Sequence, residues 1–350
     1  MKKITKLFVV ILSISSFVLS TAGAGELSVT GGATATYKIG GADAHTGKGI
    51  GVSNELDFNA SGELDNGFTW KWQTQLDNAT TENDDTRLEV GTGYGTFGFY
   101  ISENDLSSKF GYDVGAMGPG SDYTGPSTVE HGVNMGSYNN IGYATASGLL
   151  PNDAQIKIAY APNINNAQGA SAKASGVENE GEVGSNATQV KVTATPVPGL
   201  NVGADYMTVG GSNQTVRYAQ ESGGAFVKYV QGPLTLGIAQ SRYQPNEGKT
   251  SATGASTMYR TNMYGAQFAV NDNLSVSYSE ERSALQTGNA MAASGVITST
   301  DDIKMKIRHL QTAYVYGGAT LGLAIADADD ADYTVGKSEK VTTFSVAMAF

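Results

Sequence analysis

Apolar and polar side chains alternate at every second position along most of this chain. In the segment ELSVTGGATATYKI, for example, Leu27, Val29 and Tyr37 share one face and polar residues such as Ser28 occupy the other. A period of two residues indicates a β-strand with two different environments and excludes an amphipathic helix. About sixteen such segments follow one another without a Pro/Ser-rich linker or a break in composition. The sequence therefore predicts a single all-β domain.

The first residues have the pattern of a secretory signal. Three lysines precede an apolar stretch at 7–19, and the small-residue motif Ala-Gly-Ala ends at Ala24. The apolar stretch is too short to span a bilayer, whereas its length and flanks fit a cleaved signal peptide. We therefore expect a signal peptide at 1–24 and a mature barrel domain at 25–350.

Downstream of this segment, no apolar run has the length of a spanning helix. An exported chain that is embedded in a membrane must then be a closed barrel, because only helices and closed sheets satisfy their backbone groups in lipid. The mean hydropathy of −0.21, with 45 Gly and 18 Tyr, fits an alternation of lipid-facing and water-facing residues. A soluble β-sandwich or a solenoid could have the same composition.

The connections between predicted strands distinguish these alternatives, because they alternate between long and short. The short ones carry the turn sequences DNG, YG, GLLPND, VPG, QGP, NDN and GG, whereas the long ones include 105–136 and 163–186. Membrane barrels have this asymmetry, with short turns on one side of the membrane and long loops on the other. The fold class predicted is thus a transmembrane antiparallel β-barrel of about sixteen strands.

The segment 105–136 differs from everything around it. It is rich in Gly and Pro and has no period of either two or 3.6 residues. A loop of about thirty residues is uncommon in a compact domain unless it is functional. We predict that this long loop folds into the lumen of the barrel and sets the size and charge of the opening.

Charge and cysteine content exclude several functions. The chain has no cysteine, which excludes disulfide scaffolds, thiolate metal sites and cysteine nucleophiles. Its formal charge of −11 becomes −14 once the three lysines of the signal segment are removed. This balance argues against nucleic acid as a partner, since binding to phosphates depends on Lys and Arg. In a pore, the same balance would favour cations over anions.

The last strand is also characteristic. Phe344, Val346 and Met348 alternate on one face, and the sequence ends on Phe350. Together with the export signal and the strand number, this pattern resembles the trimeric sixteen-stranded general-diffusion porins of Gram-negative bacteria. The resemblance implies that these four residues form the signal read by the outer-membrane assembly machinery. It also implies that 105–136 is the constriction loop between strands five and six, although the family's loop-tip motif Pro-Glu-Phe-Gly-Gly is absent.

The resemblance implies a function as well. We expect an outer-membrane homotrimer, in contact with membrane lipid and lipopolysaccharide, through which small hydrophilic solutes and ions diffuse passively. It implies no catalysis and no cofactor. Three alternatives stay open: a substrate-specific channel with inward aromatics such as Tyr100 and Phe226, a barrel enzyme, and a closed structural barrel.

Porin constrictions set acidic groups of the loop against basic groups of the wall, and the sequence offers candidates for both sides. The loop candidates are Asp105, Asp113, Asp122 and Glu130, and the wall candidates are Lys38, Lys71 and Arg87. A second basic cluster contains Lys304, Lys306 and Arg308, which could line the bore or lie at the outer rim near lipopolysaccharide phosphates. Ordinary solvated charges are the alternative for each of them.

Two further patterns suggest other chemistry. A possible structural Ca²⁺ site is formed by the clustered carboxylates Asp327, Asp329, Asp330 and Asp332, although the EF-hand spacing is missing and a solvated acidic rim is the alternative. An enzyme would need a base held by a carboxylate. None of the three histidines, which are His45, His131 and His309, is placed by its spacing beside a nucleophile.

Overall fold

The structure is a computed structural model that describes residues 25–41, 47–77, 85–117, 129–162, 186–210, 216–218, 220–245, 247–248, 255–288 and 302–350. The predicted signal peptide and most of the predicted loop at 163–186 lie outside these ranges. The strands are β1 Glu26–Gly40, β2 Gly47–Glu63, β3 Thr69–Asp77, β4 Thr86–Thr92, β5 Gly95–Ile101, β6 Asn140–Thr145, β7 Gln155–Ala161, β8 Ala187–Val197, β9 Leu200–Val209, β10 Val216–Tyr218, β11 Gln220–Gln231, β12 Leu234–Gln244, β13 Glu247–Gly248, β14 Ala255–Ala269, β15 Leu274–Gly288, β16 Ile303–Tyr316, β17 Ala319–Asp329 and β18 Ser338–Ala349. Short 3₁₀ turns occupy Met135–Ser137, Pro151–Asp153 and Ala331–Tyr333.

Sixteen of these strands form one closed antiparallel barrel, and β10 and β13 form a separate two-stranded sheet. Each barrel strand pairs with the barrel strands before and after it, and β1 closes the ring by pairing with β18. At this seam, Gly31 and Phe350 exchange two backbone hydrogen bonds of 2.9 Å. The prediction of an antiparallel barrel of about sixteen strands is confirmed.

None of the helices within the described ranges has the length and apolar character needed to cross a bilayer.

The connections alternate in length as predicted. Two residues join β4 to β5, β8 to β9, β11 to β12 and β16 to β17, whereas residues 102–139 separate β5 from β6. In the last of the short turns, Gly317 and Gly318 both have positive φ, at 57° and 84°. This conformation suits a two-residue hairpin turn and strains any residue that carries a Cβ.

The two faces of the barrel wall differ in chemistry. On β12, Leu234, Leu236 and Ile238 are exposed, whereas Gly237 and Ala239 at the alternate positions are buried. The apolar exposed side chains form the outer face of the barrel, as expected where a wall meets lipid. At β12 the opposite, inner face is covered by the long connection between β5 and β6, where Tyr112 lies against Gly237.

The seam makes the barrel sensitive to its last residue. Deleting Phe350 removes both hydrogen bonds to Gly31, and each is worth about 0.5–1.5 kcal/mol. We expect a lower yield of folded barrel and a lower unfolding temperature, measured by the shift in gel mobility on heating. Met348→Leu keeps the backbone and an apolar outward side chain, so it serves as the control. Equal heat resistance of the deletion variant and the native chain would contradict this role of the seam.

Candidate functional site

The long connection between β5 and β6 crosses the inner face of the barrel, and its first limb is held by wall side chains. The Ser108 amide donates to Asp205 Oδ1 on β9 at 2.6 Å. Further along, the Ala116 amide donates to Ser277 Oγ on β15 at 2.7 Å. The following residue also contacts β16, since its amide donates to Gln311 Oε1 at 3.2 Å. This limb therefore extends across the barrel from β5 as far as β16.

The returning limb retraces the same side of the wall. The Glu130 carbonyl accepts a hydrogen bond from Thr261 Oγ1 on β14 at 3.3 Å, and the Val133 carbonyl accepts one from Ser222 Oγ on β11 at 2.6 Å. The Met135 amide then donates to Gln189 Oε1 on β8 at 2.7 Å. Both limbs thus lie against the β8–β17 half of the inner wall, and we call the connection the inner loop.

Glycines on the wall give the inner loop room to approach. A Cβ added at Gly237 would lie 2.0 Å from the Tyr112 carbonyl oxygen, and one at Gly265 would lie 2.6 Å from Val114 Cγ2. Both distances are too short for a real Cβ, so the loop packs directly against the strand backbone at these two glycines. Sequence patterns place these glycines at inward positions but do not reveal what covers them.

A buried carboxylate anchors both limbs at once. Glu281, on β15, is 8% exposed. Its Oε1 accepts a 2.6 Å hydrogen bond from the Tyr112 hydroxyl on the first limb, and its Oε2 lies 3.5 Å from His131 Nε2 on the returning limb. Burial and the nearby carboxylate charge raise the pKa of Tyr112 well above its ordinary value. The hydroxyl therefore stays protonated and donates to Glu281.

His131 lies between a carboxylate and a serine hydroxyl, as the histidine of a serine hydrolase does. Its Nδ1 is 3.5 Å from Ser241 Oγ, and its Nε2 faces Glu281. Ser241 is only 2% exposed, which leaves no access for a substrate carbonyl to its hydroxyl. We interpret this group as an attachment of the loop. His309 lies nearby, with Nδ1 at 3.4 Å from Ser279 Oγ, and His45 falls outside the described residues.

A cavity of about 670 Å³ lies beside the inner loop, between the two ends of the loop and the inner faces of β4–β7. We call it the passage cavity. Its lining contains more acidic than basic side chains. The acidic ones are Asp85, Glu89, Glu103 and Asp105, and the basic ones are Arg87 and Lys157.

The charges of the passage cavity are held in place by neighbours. Arg87 Nη1 lies 3.6 Å from Glu103 Oε2, and the Tyr100 hydroxyl donates to Glu89 Oε1 at 2.9 Å. Asp105 Oδ1 accepts the Ser107 amide at 2.6 Å. Burial raises the pKa of Glu103, and the charge of Arg87 opposes that shift in part. The Glu103 carboxylate therefore takes up a proton at a higher pH than an exposed glutamate.

The structure separates the acidic loop candidates. Asp105 lines the passage cavity. Asp113 and Glu130 instead line a smaller cavity of about 270 Å³ between the inner loop and β15–β16. Within it, Glu130 Oε1 accepts the Gly132 amide at 2.8 Å. Asp122 lies outside the described residues.

The basic wall candidates Lys38 and Lys71 occupy inward positions. In the strand register Lys38 pairs with Thr343, which is fully buried, and Lys71 pairs with Glu89 of the passage cavity. Arg87 lines the passage cavity itself.

Three inward lysines, Lys157, Lys191 and Lys228, were not among the residues predicted from the sequence. Lys157 lines the passage cavity. The other two bind carbonyl oxygens of the inner loop: Lys191 Nζ lies 2.8 Å from the Ser107 carbonyl, and Lys228 Nζ lies 2.9 Å from the Asp113 carbonyl. The alternation in QIKIAYA, QVKVTA and FVKYV was the available signal.

The second basic cluster, formed by Lys304, Lys306 and Arg308, does not line the bore. These residues share the outward parity of Leu310 and Tyr314, which are exposed. The intervening inward residues Met305, Ile307 and His309 are buried. Of the two interpretations of this cluster, the one that places it on the bore is therefore wrong. Apolar side chains face inward here because the inner loop covers them, so the usual assignment of apolar residues to the lipid side fails.

The carboxylates of the predicted calcium site are bound by protein groups. Arg308 contacts Asp327 and Asp329, each at 2.5 Å. Asp332 forms an ion pair with Lys337. The remaining candidate, Asp330, accepts the Gly336 amide at 2.7 Å through Oδ1. Among the residues that the structure describes, no group of three or more His, Asp or Glu side chains is arranged to hold a metal ion.

The residues of the predicted assembly signal are exposed on the outer face. Phe344, Val346, Met348 and Phe350 are all among the exposed large apolar side chains. In the strand register, Phe344 lies beside Tyr37 of β1. The strand that carries the predicted assembly signal therefore also forms one side of the β1–β18 seam.

Comparison with known proteins gives a fold but no close relative. No family model and no curated protein matches the sequence. OmpF of Salmonella typhi, in complex with daunomycin, has 12% identity and a TM-score of 0.65 over 93% of this chain and 98% of that chain. An anion-selective porin from Comamonas acidovorans has 11% identity and a TM-score of 0.63 over 93% and 100% of the two chains.

OmpT, an outer membrane protein of Vibrio cholerae, is similar to the same degree. It has 12% identity and a TM-score of 0.63 over 96% of this chain and 100% of that chain. Likeness at such low identity defines the fold alone. The chain has the closed sixteen-stranded antiparallel barrel that porins share.

Proposed function

We propose that this protein is an outer-membrane porin through which small hydrophilic solutes and ions diffuse passively. The observation that carries the proposal is the passage cavity, a polar space left open beside an inner loop that packs against the other half of the barrel wall. A water-filled barrel narrowed by an internal loop provides a size limit without any moving part. Selectivity then depends on the charges that line the narrow section.

The lining favours cations. The passage cavity contains four carboxylates and two basic side chains, and the chain as a whole is acidic. The fold alone decides nothing about selectivity, because one similar structure is described as an anion-selective porin. The cation preference therefore rests on the side chains of this particular chain.

The described inner wall supports a general channel more than a substrate-specific one. A sugar slide would need a row of inward aromatics, but Tyr100 and Phe226 lie on β5 and β11, far apart in the strand order. Tyr100 is bound to Glu89, and Phe226 packs beneath Gly111 of the inner loop. An enzyme is disfavoured by the buried position of Ser241.

The remaining expectations belong to the same proposal. Export by the segment 1–24, insertion into the outer membrane through the terminal signal, assembly into a homotrimer and contact with lipopolysaccharide are properties that the resemblance to porins implies. The exposed apolar outer face supports a lipid environment.

Zero-current potentials in a planar bilayer test the proposal. In a KCl gradient at neutral pH, we expect a stable conductance and a potential whose sign indicates preference for K⁺. Because the pKa of Glu103 is raised, the passage loses this negative charge early as the pH falls, so the preference should weaken in mild acid. Absence of any conductance would refute the channel, and an anion-selective potential at neutral pH would refute the charge assignment.

A further inference from the structure

The smaller cavity, between the inner loop and β15–β16, is lined by polar groups that the attachment of the loop does not use. One of them is His309 on β16, which is 6% exposed and whose Nε2 has no hydrogen-bond partner among the residues that the structure describes. Its Nδ1 lies 3.4 Å from Ser279 Oγ, so the ring is held from its other side. A buried polar atom without a partner is costly unless a bound molecule satisfies it. The Nε2 atom therefore points to an occupant of the cavity.

A buried lysine lines the same cavity. Lys109, on the first limb of the inner loop, is 9% exposed, and its Nζ lies 5.0 Å from the centroid of the Phe110 ring. Among the described residues, no carboxylate lies within ion-pair distance of this ammonium group. An aromatic ring attracts a cation without accepting its N–H groups as a carboxylate does. The donors of Lys109 are therefore available to a molecule in the cavity.

Carboxylates occupy other parts of the cavity wall. They are Asp113 and Glu130 on the inner loop and Glu281 on β15. The two oxygens of Glu281 are engaged by Tyr112 and His131. Glu130 is exposed, and its Oε1 accepts a backbone amide of the loop. Its second oxygen is therefore the acceptor that a bound molecule can reach.

This mixture of charges selects a class of occupant. The three carboxylates disfavour a simple anion, whereas a simple cation would leave the donors of Lys109 and His309 unsatisfied. A molecule with both an ammonium and a carboxylate group meets both requirements. Pockets for drug-sized ligands have volumes of about 300–1,000 Å³, so this cavity of about 270 Å³ fits a smaller solute. The described side chains are not grouped as ligands for a metal ion.

We propose that the smaller cavity binds a small zwitterionic α-amino acid. Its carboxylate accepts hydrogen bonds from Lys109 Nζ and His309 Nε2, and its ammonium group donates to Glu130. The Ser279 hydroxyl donates to Nδ1 of the histidine, so the ring proton is on Nε2, where the donor is needed. Phe110 and Glu130 line the cavity and are exposed, so the solute enters from the lumen. This access rests on the proposed water-filled channel.

The test measures binding to the folded protein in detergent, where no conduction is required. L-Alanine is titrated against the native chain by calorimetry, alongside propionate, which lacks the ammonium group, and ethylamine, which lacks the carboxylate. We expect saturable binding of L-alanine and binding of each analogue about tenfold weaker or more, because charge-assisted hydrogen bonds are lost. Absence of saturable L-alanine binding would overturn the proposal and leave water as the occupant. Equal binding of either analogue would overturn the choice of a zwitterion.

Two substitutions locate the site. Lys109→Met removes the ammonium group but keeps a long apolar side chain, and His309→Leu removes the unpartnered ring nitrogen. Each should weaken L-alanine binding about tenfold or more. Lys340→Met is the matched control, because it removes a lysine from an exposed outward position of β18, and it should bind as the native chain does. Unchanged binding in either cavity variant, or equal loss in all three, would overturn this site. The comparison of analogues uses the native chain and does not depend on the folding of any variant.

Conductance separates this proposal from the channel function. A chain that binds L-alanine but does not conduct would refute the porin function alone. A chain that conducts but does not bind L-alanine would refute the amino-acid site alone.

Discussion

Replacing Glu103 and Asp105 by lysine should convert the channel from cation to anion preference. In the native passage cavity, four carboxylates face two basic side chains. The double substitution leaves two carboxylates facing four basic groups, so the sign of the local charge reverses. A unit charge about 8 Å from an ion contributes ~0.5 kcal/mol in water, and the change involves four units of charge. We expect the cation-to-anion permeability ratio to fall more than about tenfold at low salt.

The measurement is the zero-current potential in a KCl gradient, repeated at high salt, where screening should reduce the effect. Glu130→Lys is the matched control. It also places a lysine on the inner loop, but Glu130 lines the smaller cavity beside β15–β16 and not the passage cavity. If Glu130→Lys shifted the potential as much as the double variant, ions would not be selected in the passage cavity.

Removing two wall carboxylates should release the inner loop and raise the conductance. Asp205 accepts the Ser108 amide at 2.6 Å and Gln189 Nε2 at 2.9 Å, and Glu281 binds Tyr112 and His131. Hydrogen bonds to charged groups are worth about 1.5–3 kcal/mol each. The double variant Asp205→Ala with Glu281→Ala therefore loses several kilocalories per mole of loop attachment. We expect larger and noisier single-channel currents.

Limited proteolysis provides a second readout, because a detached loop becomes a substrate while the barrel stays resistant. Glu63→Ala is the control, since it removes an inward carboxylate at the short-turn end of β2, away from the inner loop. A complementary variant is Gly237→Ala, whose Cβ would meet the Tyr112 carbonyl at 2.0 Å. Tyr112 can move only toward the lumen, so this variant should conduct less. Native currents in the double variant would mean that these two carboxylates are not needed to hold the loop.

The architecture was predictable because it follows from short-range signals. Alternation over about ten residues defines each strand, and turn sequences such as VPG at 197–199 define where strands reverse. The position of the inner loop between β5 and β6 followed from its lack of periodicity. None of these inferences requires knowing which distant residues meet.

The contacts of the site could not be predicted, because they join residues that are far apart in the sequence. Tyr112 and Glu281 are separated by 169 positions, and His131 and Ser241 by 110. The parity of β16 was left open between bore and rim, because Met305 and Ile307 are apolar and yet face inward, beneath the inner loop. An alternation pattern identifies the two faces of a strand. It does not show whether the inward face contacts water or is covered by the inner loop.

Because the inner loop packs against only one half of the barrel wall, the two halves of the barrel differ in their contacts. The inner loop packs against the flank from β8 to β17, while the flank formed by β4–β7 lines the passage cavity, through which ions pass in the proposed channel. Substitutions that change the charge of the passage cavity therefore fall on a different flank from the wall side chains that bind the inner loop, such as Asp205 and Ser277. In the proposed channel, selectivity can therefore change in small steps while the contacts that hold the inner loop stay intact.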